Sequence, residues 1–273
     1  MIYFSQSGNT RKVAAAMAEA FRDEGQRATT ISLEKATADD VVRCDLLGVG
    51  TGCRSSQAPT PIKRFLCALP PLAGKHAFVF ATSSAAPGRV LYDLTRLLRK
   101  RGAGVLGGFL ARGQVHHPAP HMTGQFRGRP SAQDLTEARR FARGLAAHIA
   151  AGRSVPVPAN RPDALRPGWG LYDLLGRVVS DALLRACMPE PKLDADKCDR
   201  CGWCARACPM DNIRLLPRPV LGEQCMRCYR CLTGCPQQAF DADWRFADRL
   251  LLVLYNTTFM RWFGDLRADE VVY

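Results

Sequence analysis

The sequence predicts an α/β first domain, a doubly wound parallel sheet, followed by a separate cysteine-rich domain. Three observations predict it. Residues 1 to about 150 alternate short apolar runs with helix-periodic stretches. Gly152 to Pro167 is rich in Pro and Arg, the composition of a domain boundary, and eight of twelve cysteines fall between Cys198 and Cys235. Strands separated by helices pair in parallel under crossovers that cover both faces of the sheet. With 273 residues and 47% hydrophobic content the chain can bury a core, which excludes a disordered chain, a collagen or a disulfide miniprotein.

Ile2 to Phe4 reads as the first strand. Thr10 to Glu24 follows as a helix: Val13, Met17 and Phe21 recur four apart on one face, and Gly25 is placed to end it. Thr29 to Leu33 is a second strand and Asp45 to Gly50 a third, buried one. Gly48-Val49-Gly50-Thr51-Gly52 fails the dinucleotide fingerprint by spacing and reads as a tight turn. Pro61 to Leu69 forms a short helix, His76 to Ala81 a fourth strand, Arg89 to Arg101 a helix, Val105 to Ala111 a fifth strand, and Ser131 to Ala151 a closing helix. Beyond the connection, Leu171, Leu174, Leu175, Val178, Val179, Ala182 and Leu183 describe one amphipathic helix that stops before Pro189. The expected divisions are residues 1–152, a linker and connector helix over 153–190, a cysteine domain over 191–240, and an aromatic, Arg-rich tail over 241–273.

The cysteine block is a repeat. Cys198, Cys201, Cys204 and Cys208 recur 27 residues later as Cys225, Cys228, Cys231 and Cys235, and Pro209 and Pro236 share the shift. Each half reads C-x-x-C-x-x-C-x-x-x-C-P, the run that holds [4Fe–4S] clusters, in which the fourth cysteine ligates the other cluster. Cys198, Cys201, Cys204 and Cys235 are therefore assigned to one cluster, and Cys225, Cys228, Cys231 and Cys208 to the second. Structural zinc also uses C-x-x-C pairs, but a four-ligand site gains nothing from this triple spacing and its duplicated Cys-Pro. Arg200, Arg206, Arg214, Arg218, Arg227 and Arg230 crowd the block, and positive charge near a cluster favours its reduced form. Trp203 and Tyr229 are placed to shield the clusters from water; ordinary packing explains them equally well.

Ser5-Gln6-Ser7-Gly8-Asn9-Thr10 leaves the first strand and enters the first helix. Small, hydroxyl-bearing residues let backbone N–H groups converge on an anion at the helix N-terminus. This is neither a Walker loop nor a dinucleotide loop, and a Ser-rich helix cap has the same composition.

The cysteine block resembles the two-cluster bacterial-type ferredoxins, which implies a small α+β fold of two pseudo-symmetric halves. The first loop resembles the flavodoxin phosphate loop. That likeness implies a flavodoxin-like sheet of order 2-1-3-4-5, with Ser5, Ser7, Gly8, Asn9 and Thr10 holding the FMN phosphate. It also implies that the loops after the third and fourth strands hold the flavin ring, through Thr51, Gly52 and Arg54 and through Thr82, Ser83, Ser84 and Gly88. Arg54 would sit near the electron-rich edge of the ring. Flavodoxin relatives often stack an aromatic there, and neither loop has one. The order of parts resembles the EFR1-type ferredoxin–flavodoxin fusion proteins, over roughly residues 1 to 240. That resemblance implies electron exchange between FMN and two [4Fe–4S] clusters, to or from a redox partner enzyme. The competing function is a flavin-dependent reductase acting directly on a small organic substrate.

Other features are read more plainly. Cys53 is an ordinary loop residue despite its neighbour Arg54, and Cys44, Cys67 and Cys187 are expected to be buried thiols. His116, His117 and His121 belong to a solvated loop, with the flavin as a neighbour. The tail residues Trp244, Phe246, Leu250 to Leu254, Tyr255, Met260, Trp262 and Phe263, with Arg245, Arg249 and Arg261, suit a membrane-surface helix. Packing against the connector helix or the first sheet explains them better. A net charge of +13 suits an acidic partner protein, and no nucleic-acid signature accompanies it. The longest uncharged apolar run, Leu250 to Met260, falls short of the ~18 residues of a span, and the N-terminus does not resemble a signal peptide. A cytoplasmic location is expected.

Overall fold

A computed structural model describes residues 1–84, 87–119, 125–152, 165–166 and 171–251. It divides into two compact units. The first is formed by the described residues of Met1–Gln114 and Gln125–Val178, the second by those of Val115–Gly124 and Val179–Val271.

The first unit runs β1 (Ile2–Phe4), α1 (Asn9–Asp23), β2 (Ile31–Ser32), α2 (Ala38–Val42), β3 (Leu46–Gly52), α3 (Thr60–Ala68), β4 (His76–Ser83), α4 (Val90–Lys100), β5 (Gly104–Arg112), α5 (Ala132–Ala150) and α6 (Leu171–Val178). Its five strands are parallel in the order β2-β1-β3-β4-β5. The fold is the expected flavodoxin-like sheet. β4 shows why both faces are covered. Phe78 and Phe80 point to a core with Val13, Met17 and Phe21 of α1 and Phe141 and Leu145 of α5. The alternate residues Ala77, Val79 and Ala81 point to Ile62 and Leu66 of α3 and Leu91, Leu94 and Leu98 of α4. The second strand is shorter than the sequence suggests, two residues only, and α2 was not anticipated. Thr37 and Asp40 start α2 with a reciprocal capping box.

The run Gly48 to Gly52 is strand, not a tight turn. Gly48 lies opposite Phe78 and Gly50 opposite Phe80. A Cβ on Gly48 would stand 2.5 Å from the Phe78 ring, and one on Gly50 2.1 Å from the Phe80 ring. The glycines are there to admit two phenylalanines, so spacing alone misread them.

The connector is two helices, α6 and α7 (Asp181–Cys187), because Ser180 starts a new one: its Oγ accepts from Leu183 N at 3.1 Å. Leu174, Val178 and Leu183 remain exposed. Gly176 lets α6 approach the loop after β3, where a Cβ would stand 2.6 Å from Ser56 O. No helix among the described residues is long and apolar enough to cross a membrane.

The second unit adds β6 (Lys192–Leu193), α8 (Trp203–Ala207), β7 (Ile213–Leu215), β8 (Pro219–Leu221), α9 (Arg230–Thr233), β9 (Phe240–Asp241) and α10 (Arg245–Leu251). β6 pairs antiparallel with β9, and β7 with β8, as a small ferredoxin-like α+β domain requires. The 27-residue repeat is written into the backbone. Left-handed residues come in matched pairs: Arg200 and Arg227, Gly202 and Tyr229, Asp211 and Gln238. Gly202 and Tyr229 stand at the N-caps of α8 and α9.

Candidate cofactor sites

The first site lies at the carboxyl edge of the sheet, between β1 and α1. Gly8 takes φ +89°, a conformation that a side chain would strain, and α1 begins there with no side-chain cap. The leading N–H groups of a helix find no partner within it, and here Ser5 Oγ accepts from Arg11 N at 3.4 Å. With Ser5 half-buried and Ser7 exposed beside it, this uncapped end of a fifteen-residue helix fits a phosphate. Asn9 and Thr10 serve the fold with their side chains. Asn9 Nδ2 donates to Gln114 O at 2.8 Å, and Thr10 Oγ1 lies 2.9 Å from Thr82 Oγ1. Both residues are buried, and they tie the loop to the ends of β4 and β5.

The ring loops converge on the same edge. Thr51, Thr82 and Ser83 are buried at the strand ends, whereas Gly52, Arg54, Ser84 and Gly88 are partly exposed. Cys53 N donates to Thr82 O at 2.7 Å, joining the two loops. Arg54 and Gln57 exchange backbone hydrogen bonds at 3.0 and 3.1 Å, closing a tight hairpin. A buried carboxylate clamps that hairpin, and sequence reasoning missed it. Asp93 accepts from Ala58 N at 3.2 Å and from Arg89 Nε at 2.8 Å, with Lys63 Nζ 3.4 Å away. Its signal was present as Arg89 and Asp93, four apart on one helix. Cys53 is not a reactive thiolate: burial pushes its thiol up to about 12, and Sγ donates to Pro87 O at 3.5 Å.

Phe126 was missed as well. Its ring stands 5.3 Å from the Arg112 guanidinium, which also donates to Ser84 O of the second ring loop. Phe126 is half-exposed and holds φ +53°, costly for a bulky side chain. Its loop is fastened to Gln114 by Gln114 N to Arg129 O, 3.1 Å, and by Gly128 N to Gln114 Oε1, 3.3 Å. The flavodoxin likeness places a stacking aromatic in the loops after β3 and β4; this one follows β5.

In the second unit, Cys208, Cys225, Cys228 and Cys231 border one pocket that is partly open to solvent, together with Ile213, Leu221, Met226 and Tyr229. These are the four cysteines assigned to one cluster, three from the second half-repeat and one from the first. Burial first, then the charges of Cys228, Cys225 and Cys208, pushes the Cys231 thiol up to about 12. Burial likewise raises Cys204, and there the neighbouring thiols are Cys235 and Cys198. Each half thus couples to the fourth cysteine of the other. Backbone donors repeat too: Asn212 N to Cys208 Sγ and Ala239 N to Cys235 Sγ, both 3.4 Å. Cys201 is exposed. Among the described residues no three His, Cys, Asp or Glu side chains gather closely enough for a single metal ion. A cubane spreads its thiolates over four iron corners and asks for a wider spacing.

The remaining expectations separate. Tyr229 is fully buried on the pocket wall, its hydroxyl donating to Pro189 O at 2.8 Å. Trp203 fits against Gly234, where a Cβ would stand 2.0 Å from its ring. His116 is exposed and His117 half-buried, its ring 5.2 Å from Tyr229 and 5.4 Å from Trp244 in an aromatic cluster of the second unit. Trp244 packs on Tyr229 at 4.8 Å, so this part of the tail belongs to the cysteine domain. Cys67 is exposed rather than buried, because it falls on the outer face of α3, and Cys44 and Cys187 are half-buried. His121, loop residues Ala85 and Ala86 and the tail beyond Leu251 lie outside the described residues.

Residues 1–125 match the flavodoxin domain family, and residues 191–214 match the 4Fe-4S binding domain family. Among solved structures, a flavodoxin from the domain Archaea is 20% identical, covering 55% of this chain and 96% of that one, with a TM-score of 0.44. Two-electron reduced Megasphaera elsdenii flavodoxin is 21% identical over 51% and 98%, with a TM-score of 0.39. Rubredoxin oxygen:oxidoreductase from the anaerobe Desulfovibrio gigas is 17% identical over 55% and 35%, with a TM-score of 0.43. No curated protein matches the chain. The chain therefore joins a flavodoxin domain, the FMN-binding module, to a ferredoxin-like domain for a 4Fe–4S cluster, and is a flavodoxin–ferredoxin fusion built for electron transfer.

Proposed function

We propose that this chain is an electron carrier that passes electrons between FMN on its first unit and two [4Fe–4S] clusters on its second, serving a separate redox enzyme. The observation that carries this reading is the pocket walled by Cys208, Cys225, Cys228 and Cys231, in which two half-repeats pool their thiols. When bound, FMN supplies one- or two-electron chemistry and each cluster supplies single electrons. On the first unit, Ser5, Ser7 and the N–H groups at the start of α1 bind the phosphate, and Asp93 holds the Arg54–Gln57 hairpin in position. Phe126, pinned by Arg112, offers the stacking face that the two ring loops lack. On the second, the Cys198, Cys201, Cys204 and Cys235 set holds the other cluster, and the buried Tyr229 and Met226 form the apolar part of the walled pocket. The charge of +13 favours an acidic partner surface.

The test is an anaerobic reductive titration of the intact chain, followed by visible and EPR spectra. A flavin band and cluster signals that both respond, with fast re-equilibration after partial oxidation, are the expected result. Stoichiometric turnover of a small organic acceptor by the isolated protein would instead make it a reductase.

A further inference from the structure

The two cysteine halves share a backbone but not their surroundings. Between Cys198 and Cys201 stand Asp199 and Arg200, both exposed. At the matching positions between Cys225 and Cys228 stand Met226, 1% exposed, and Arg227, 8% exposed. Asp199 accepts hydrogen bonds from Cys201 N at 3.0 Å and from Gln237 Nε2 at 3.1 Å. Arg227 is its opposite. It donates through its backbone N to Cys225 Sγ at 3.4 Å, and the Cys225 sulfur also acts on its guanidinium. Its Nε is buried without a hydrogen-bond partner among the described residues, a donor for which a sulfur-rich anion is the fitting acceptor. Among the described residues it pairs with Glu190, 3.0 Å away, whose side chain is 57% exposed against 9% for Arg227. Water therefore screens the carboxylate, while the cation faces the interior.

We propose, building on the two-cluster reading above, that Arg227 makes the cluster site of Cys225, Cys228, Cys231 and Cys208 the higher-potential one, so that an electron entering the unit comes to rest there. Reduction adds negative charge to a cluster already anionic with its four thiolates. An adjacent buried cation favours that step, and an adjacent carboxylate such as Asp199 opposes it at the other site. Burial of Met226 and of the Arg227 side chain works the other way, since a less hydrated site disfavours the more negative state. Arg227 is placed to overcome that penalty, and Glu190 to moderate it. Arg200, at the same backbone position in the first half, is in water and has little influence.

The experiment is a potentiometric EPR titration of the intact, iron-loaded chain and its variants, with iron counted in each. The wild type should show two resolved reduction steps, the upper one belonging to the signal lost in Cys231→Ala. Arg227→Gln should lower that step alone, Arg227→Lys should restore most of it, and Arg200→Gln should move neither. Glu190→Gln, altering an exposed side chain, should raise the same step and keeps the test open should Arg227→Gln fail to fold. Unchanged steps in Arg227→Gln with full iron, or a downward shift in Glu190→Gln, would overturn the inference. A wild type with only half the iron of two clusters would remove the two-cluster reading, and this inference with it.

Discussion

The two units solve the same problem, holding a redox group rigidly, with opposite resources. The first buries a continuous sheet between helices, with Phe78 and Phe80 on one face and Val79 and Leu94 on the other. Its site sits at the edge of a core that is complete without it. The second has an apolar cluster of Cys204, Ile213 and Phe240, extended by partly buried Leu193, Trp203, Leu221 and Leu232 and by cysteines themselves. Small domains with so little to bury lean on metal for stability. In the first unit the fold makes the site; in the second the fold is expected to depend on the metal its site takes up.

The largest effect should come from breaking that second dependence. Oxidative removal of iron with a chelator should abolish hydrogen-exchange protection over residues 191–241 while β4 and β5 stay protected. Equal protection in both units after iron loss would erase the contrast. A smaller break is Cys231→Ala, expected to lower bound iron from about eight to about four per chain, measured by colorimetric iron assay. The remaining cluster should persist, because Cys198, Cys201, Cys204 and Cys235 are untouched.

Two further expectations sharpen the first unit's independence. Cys53 keeps its proton to about 12, above the ordinary 9.0, so the folded state favours the neutral thiol. The stability this contributes is present below pH 9 and is lost as pH climbs toward 12, by up to about 1.4 kcal/mol per unit. Urea unfolding of wild type and Cys53→Ala at about pH 8 and about pH 10 should show their difference shrinking at the higher pH. The smallest effect is that of Phe126→Leu. Loss of a stacked ring is worth about 1 kcal/mol, so FMN should bind about fivefold more weakly with no change in the unfolding midpoint of the flavin-free protein. Fluorescence titration with FMN reads it.

Sequence carried the fold far where pattern and physics coincide. The strand–helix alternation and the four-residue stripe of Val13, Met17 and Phe21 located the sheet and its first helix. The 27-residue cysteine register foretold two pseudo-symmetric halves, and the backbone carries the repeat on into its left-handed residues. What it concealed depends on contacts distant in the chain. Gly48 and Gly50 look like a turn until Phe78 and Phe80 are set opposite them. Asp93 looks like a surface helical acid until Ala58, Lys63 and Arg89 close on it. Phe126 and His117 lie in a Pro- and His-rich stretch with no periodicity, and only the folded chain places one on Arg112 and the other on Tyr229. The break at Ser180 was hidden because the apolar stripe runs on past it unaltered.

The most direct measurement of the central claim is the stoichiometry of iron, acid-labile sulfide and FMN in the chain, reconstituted and kept anaerobic. About eight irons, eight sulfides and one FMN per chain are expected, from two four-iron cubanes and one flavin. Zinc in place of iron at the cysteines, or a first unit that takes up no flavin, would contradict it.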